Sequence, residues 1–182
     1  MKWMIASDIH GSAYYCRQML EAFEKEQAER LLLLGDILYH GPRNDLPRDY
    51  RPKEVIAQLN PLADRILGVG GNCDADIDQY VLNFPMSAGY AFLDLGKNIV
   101  FATHGHVYNP EHPPRLRRGD ILLTGHTHVP ALEIGENFTY CNPGSTSIPK
   151  KDSARSYMTL ENGVLQWKKL DGGEVYLRHV IE

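Results

Sequence analysis

Five short segments of this sequence carry side chains able to hold a metal ion: Asp8-Ile9-His10, Gly35-Asp36, Gly71-Asn72-Cys73-Asp74, His104-Gly105-His106 and Gly125-His126-Thr127-His128. Carboxylate, carboxamide and imidazole groups are donors for divalent cations. Such ions polarise substrate oxygens and lower the pKa of a bound water. In an extended backbone, residues two apart face the same way, so Asp8 and His10 can reach one ion together. The same holds for His126 and His128 if their segment stays extended. Taken singly the segments say little, because a lone Asp-x-His is usually coincidence and a histidine beside glycine is usually a turn residue. Taken together they are hard to read as packing: all five follow apolar runs, four adjoin glycine, and they contain half of the eight histidines among the candidate ligands.

The elements that must position these groups alternate at first. Trp3 to Ser7 reads as a strand, Cys16, Met19, Leu20 and Phe23 stand at helical spacing, and Leu31 to Leu34 reads as a second strand. Pro52 suits a first helical turn, with Val55, Ile56 and Leu59 on one face, and Arg65 to Val69 follows as a third strand. This βαβ pattern predicts parallel pairing, with the candidate ligands at strand ends, where sites in α/β folds collect. After Pro85 consecutive strands are expected, as hairpins rather than crossovers: Tyr90 to Leu95, a Gly96-Lys97 turn, Asn98 to Thr103, Ile121 to Thr124 and shorter segments to Ile134. Arg155 to Glu161 and Val164 to Leu170 flank Asn162-Gly163, which suits a type I′ turn, and Glu174 to Ile181 is a final strand. The long polar stretch from Tyr39 to Pro52, with Arg43, Arg48 and Arg51, reads equally as a flap over an anionic substrate or as a solvated loop.

The 182 residues, 43% hydrophobic and 23% charged, suit one domain over 1–182. A net charge of -4 leaves no general basic footprint, so nucleic acid and membrane surfaces are not the expected partners. Cys16, Cys73 and Cys141 lack disulfide or zinc-finger spacing, which predicts a reducing cytoplasm. The first residues fail both the signal-peptide and the transmembrane length tests.

With these motifs in this order, the sequence resembles the calcineurin-like metallophosphoesterase superfamily, and within it the small bacterial and archaeal phosphodiesterases. The resemblance implies an α/β fold, a sandwich of two mixed β-sheets flanked by α-helices. It further implies a metal-dependent phosphoesterase, with phosphodiesters as substrates, acting through a hydroxide held between two divalent metals. Carried over by motif, one metal takes Asp8, His10, Asp36 and His128, and the other takes Asp36, Asn72, His104 and His126, with Asp36 bridging. Asp36, Asn72 and His104 are then the catalytic residues. The donor set admits Mn, Fe, Zn, Ni or Co, and the resemblance favours Mn²⁺.

One departure stands out: many members place a histidine directly after the Asn to protonate the leaving group, and this sequence has Cys73. His106 is a candidate substitute. Cys73 itself reads as a buried packing residue rather than a nucleophile, Asp74 as the cap of a following helix, and Cys141-Asn142-Pro143-Gly144-Ser145 as a turn, which the resemblance would set beside the site. Two other functions compete. A protein-interaction scaffold resembling the retromer subunit of this fold would not need the full ligand set, and a nuclease would need basic or stacking groups, for which only Tyr39, Tyr50 and the nearby arginines are candidates. A homo-oligomer through the Glu174 to Ile181 edge and the Trp167 strand completes the expectations.

Overall fold

The computed structural model describes residues 1–181; Glu182, the last position of the expected 1–182 domain, lies outside them. The chain opens with β1 (Trp3–Ala6), α1 (Ala13–Lys25), β2 (Arg30–Leu33), α2 (Pro52–Leu59) and β3 (Ile66–Gly68). β1, β2 and β3 pair in parallel, with Ile5 opposite Leu32 and Leu31 opposite Ile66. Ser12 caps α1 by accepting from the Tyr15 amide, and Ala13, Cys16, Met19 and Phe23 are its buried face. Pro52 opens α2, where its missing N–H costs nothing.

A short α3 (Asp78–Val81) precedes β4 (Tyr90–Asp94), β5 (Ile99–Thr103), β6 (Ile121–Leu123), β7 (Pro130–Ile134) and β8 (Thr139–Pro143). The hairpin expectation holds for β4 with β5, which pair antiparallel, and fails for β6; β7 and β8 also pair antiparallel. β6 runs parallel to both β5 and β8. Ile121, Leu122 and Leu123 are all buried, the unbroken apolar run of a central strand covered on both faces, so the chain must cross back to reach it.

β9 (Ser156–Glu161), β10 (Val164–Lys169) and β11 (Val175–Val180) return to the first sheet, where β9 pairs antiparallel with β1. Asn162 and Gly163 both take positive φ, 49° and 74°, as a type I′ turn requires. The result is a six-stranded mixed sheet, β11-β10-β9-β1-β2-β3, facing a five-stranded mixed sheet, β4-β5-β6-β8-β7.

Ile5, Leu32, Val69, Val100, Leu123, Met158 and Trp167 meet between the sheets in one buried cluster. Both longer helices cover the outer face of the six-stranded sheet, where Met19, Phe23 and Val55 pack on Met4, Leu31 and Leu33. The outer face of the other sheet carries Phe101, Leu122 and Tyr140 under Tyr108 and Leu116 of a loop. Trp167 is fully buried, its indole N–H donating to the Asn142 carbonyl at 2.7 Å, so that strand offers no tryptophan to a partner. Among the described residues no helix is long and apolar enough to cross a membrane.

Candidate metal centre

The candidate side chains converge where the two sheets meet. β1, β2 and β3 lead into Asp8 and His10, Asp36, and Asn72; β5 and β6 lead into His104, and into His126 and His128. The first sheet thus supplies the carboxylates and the amide, and the second supplies three imidazoles.

The expectation that Asp8 with His10, and His126 with His128, share a direction through extended backbone is corrected by the structure. Asp8 (φ 57°), His10 (49°), Asp36 (53°), His126 (67°) and His128 (59°) all stand in the left-handed region, so the chain turns sharply at each. That conformation costs a non-glycine residue about 1–3 kcal/mol and persists only where surroundings over-determine it. Here they do. His10 N–H donates to the Asp36 carbonyl at 2.8 Å, Gly11 N–H to Ile37 at 2.8 Å, and the Asp8 carbonyl accepts from the Ser145 and Ser147 hydroxyls at 2.9 and 3.0 Å.

Imidazole orientation is fixed from behind. Nδ1 of His10 lies 2.8 Å from the Tyr39 carbonyl, Nδ1 of His104 lies 2.6 Å from Leu34, and Nδ1 of His128 lies 2.7 Å from Ile148. A carbonyl only accepts, so each Nδ1 carries hydrogen, and each neutral ring presents an Nε2 lone pair inward. Nε2 of His10 and of His128 approach to 3.2 Å, and both face Asp8 Oδ1, at 3.5 and 3.2 Å. That buried oxygen has no hydrogen-bond partner among the described residues. Lone pairs converging on one point in a dry site call for a cation, so these residues fit a metal.

A second convergence lies alongside. His104 Nε2 is 3.4 Å from Asp36 Oδ2, 3.1 Å from Asn72 Oδ1 and 3.2 Å from His126 Nδ1. Asn72 Nδ2 donates to Cys73 Sγ at 3.3 Å, which turns the amide oxygen inward. Asp36 Oδ2 also stands 3.6 Å from His10 Nε2, so one carboxylate oxygen faces both convergences. Its Oδ1 is held by the Cys73 amide at 2.8 Å.

Charge within the cluster is mutually supported. Burial would push the Asp8 carboxyl up, but His10 and His128 hold it well below the usual range. Burial would lower His104, yet Asp36 and Asp8 lift it to about 9. His126 goes the other way, lowered by burial and by His104.

Several sequence expectations change. Asp74 caps no helix: Ile77 stands at the start of α3 without a side-chain cap. Instead the Asp74 carboxylate accepts from the amides of Asp36, Ile37 and Gly71 at 2.7, 2.8 and 2.8 Å, lashing the β2 and β3 loops together. Cys73 is half-buried rather than a core residue, and burial followed by the Asp36 charge pushes its thiol to about 12, which removes it as a nucleophile. Cys141 to Pro143 belong to β8 rather than to a turn, and Asn142 Nδ2 donates to the Gly125 carbonyl at 2.7 Å, bracing the β6 loop. His106 is exposed, its ring centroid 5.4 Å from that of His104.

The Tyr39 to Pro52 stretch divides. Gly41 to Asn44 line the cleft over Asp36, Asn72, His126 and His128, and Lys150, which no sequence pattern marked, faces them. Arg48 stacks on Tyr14 at 3.6 Å and Arg51 pairs with Asp49 and Glu54, so neither reaches the centre. Tyr39 and Tyr50 each meet the His40 ring edge-on, with centroids at 4.7 and 5.2 Å.

The domain model of the calcineurin-like phosphoesterase superfamily matches residues 1–163. The phosphodiesterase YfcE of Escherichia coli K12 is 46% identical over 165 residues, which cover 91% of this chain and 90% of that protein. A solved structure of YfcE, described as a phosphoesterase, superposes with a TM-score of 0.96 at 43% identity, covering all of both chains. Vacuolar protein sorting 29 from Cryptosporidium parvum, at 19% identity and a TM-score of 0.65 over 98% of this chain and 97% of that one, shares the fold. The motif order, the cluster at the sheet seam and these likenesses agree: the chain belongs to the calcineurin-like phosphoesterase superfamily.

Proposed function

We propose that this metal-dependent phosphoesterase hydrolyses small phosphodiesters at a binuclear centre, with Asp8, His10, Asp36 and His128 around one cation and Asp36, Asn72, His104 and His126 around the other. Mn²⁺ is the proposed metal. The observation that carries the reading is the pair of lone-pair convergences sharing Asp36 Oδ2. Divalent cations bound there would supply Lewis-acid polarisation of the phosphoryl oxygens and would lower the pKa of water enough to make hydroxide available near neutral pH.

The chain's own residues do the rest. The carbonyls of Tyr39, Leu34 and Ile148 hold the imidazoles in one tautomer and orientation. Buried Asp8 and Asp36 place their negative charge at the floor of the site, where it would face the cations, while Arg43 and Lys150 at its mouth attract the substrate phosphate. Identity to YfcE over most of the chain favours catalysis over a scaffold role, and the engagement of Arg48 with Tyr14 and of Arg51 with Asp49 and Glu54 disfavours a nuclease groove. The free cysteines fit the cytoplasm, and Val175, Tyr176 and Val180 on the exposed β11 edge fit self-association, which light scattering over a concentration series tests.

The deciding experiment is hydrolysis of an aryl phosphodiester by chelated protein before and after Mn²⁺ is added. Activity should vanish on chelation and return with the metal. Full turnover in rigorously metal-free protein would overturn the reading.

A further inference from the structure

We infer that the cleft beside the metal centre is a subsite for one ester group of the substrate, and that it selects uncharged or cationic groups over anionic ones. The inference rests on the phosphodiesterase reading above and adds which diesters the centre takes. The cleft encloses about 280 Å³ and is lined by Gly71, Asp74, Asp76, Met86, His106 and Tyr108 among others. It adjoins the centre: Gly71, next to Asn72, is part of its wall, and the His106 ring on the same wall sits 5.4 Å from that of His104 and 6.3 Å from that of His126. An ester whose phosphorus occupies the centre can extend one substituent past His106 into this cleft.

Size and surface define the substituent. At about 30 Å³ per water, the cleft holds roughly nine waters, room for a small alcohol. Met86 is buried, and the Tyr108 ring is held edge-on by Phe101 at 5.4 Å and by Tyr90 at 6.3 Å, so one side is a fixed apolar and aromatic surface. Charge is one-signed: Asp76 and Asp74 line the cleft, the latter with its carboxylate turned to three backbone amides, and no lysine or arginine is among the lining residues. Asp76 is exposed at the rim and makes no ion pair among the described residues. The cations near the centre, Arg43 and Lys150, line the separate and much smaller cleft of about 50 Å³, which has room for phosphoryl oxygens rather than for an ester group. An aromatic face beside a carboxylate suits an alkylammonium group. A nucleic-acid strand would instead press its next phosphate against Asp76.

The test uses the full Mn²⁺-loaded chain and p-nitrophenyl phosphodiesters whose second ester group is choline, its neutral isostere 3,3-dimethylbutanol, or 2-carboxyethanol. The same phenol leaves in each, so differences in KM report the second group. KM should rise from choline through the neutral ester to the carboxylate, with about a five- to tenfold spread, the scale of one partly exposed charge interaction. Asp76→Asn should narrow the spread and Asp76→Lys should invert it; because the residue is exposed, circular dichroism should show both variants folded. A flat or reversed order in the native protein, or an order untouched by Asp76→Lys, overturns the inference while bis-p-nitrophenyl phosphate is still hydrolysed. If that diester too is left intact, the phosphodiesterase reading itself falls and takes the subsite with it.

Discussion

Asp36 and Asn72 stand on the same side of the centre, yet the geometry asks different things of them. Asp36 Oδ2 faces His10 and His104 at once, whereas Asn72 offers one neutral oxygen toward His104 alone. Asp36→Asn should therefore lose most bound metal and nearly all turnover, while Asn72→Ala should lose part of both; equal metal content and equal rates by metal analysis and steady-state assay would contradict the shared role. His104 gives a pH signature. Its raised value, about 9 against an ordinary 6.5, means that the metal-free protein carries the proton at pH 7, and metal must displace it. Loading at pH 7 should release about one proton from this group, with affinity climbing as pH rises toward 9, readable by calorimetry in buffers of different ionisation enthalpy. In the metal-free protein the same shift contributes stability that is full below 6.5 and lost as pH rises through about 9. Cys73, with its thiol pushed to about 12, is a poor proton donor to a leaving alkoxide. Diester hydrolysis should slow steeply as leaving-group pKa increases, and equal chemical-step rates for aryl and alkyl leaving groups would point to His106.

At the scale of elements, the loops after β2 and β3 depend on Asp74, whose carboxylate takes three backbone amides. Asp74→Ala would leave those donors without their partner and should cost about 2–4 kcal/mol in urea unfolding, together with weaker metal binding. Wild-type stability in that variant would show that the loops hold their shape by other means. The opening strands and helices were legible because Cys16, Met19 and Phe23 repeat at helical spacing and because Leu31 to Leu33 form one apolar run. The parallel placement of β6 was carried by its unbroken burial, a weaker cue than the turn residues that suggested hairpins. The ligand-bearing motifs were legible as types in order, but their left-handed backbone was not: Asp and His tolerate positive φ more than most residues, yet at Asp8 and His128 it is held by partners far along the chain, the Ser145 and Ser147 hydroxyls on the Asp8 carbonyl and the Lys150 amide on that of His128. Asp74 misled for a related reason, since its position before a short helix is a capping signal, whereas two of its three partners, the Asp36 and Ile37 amides, lie 38 and 37 residues away.

For the molecule as a whole, a ligand that binds the folded chain and not the unfolded one raises stability by mass action. Mn²⁺ at about 100 times its Kd should add about 2.7 kcal/mol, seen as a higher Tm that chelator reverses; an unchanged Tm would mean the ion does not bind the folded state more tightly. The division of donors between the sheets gives this stabilisation a particular character. His10 and His128 are 118 residues apart, and Asp36 meets His104 across the same seam. An ion shared among them is a removable cross-link, closing long loops of chain much as a disulfide would, at the one edge of the sandwich where polar groups replace apolar packing. With the clasp undone the shared core of Ile5, Leu123 and Trp167 still holds the sheets together, and hydrogen exchange should register a loosening confined to the ligand-bearing loops, so the metal that equips this chain for chemistry also sets how tightly its seam is shut.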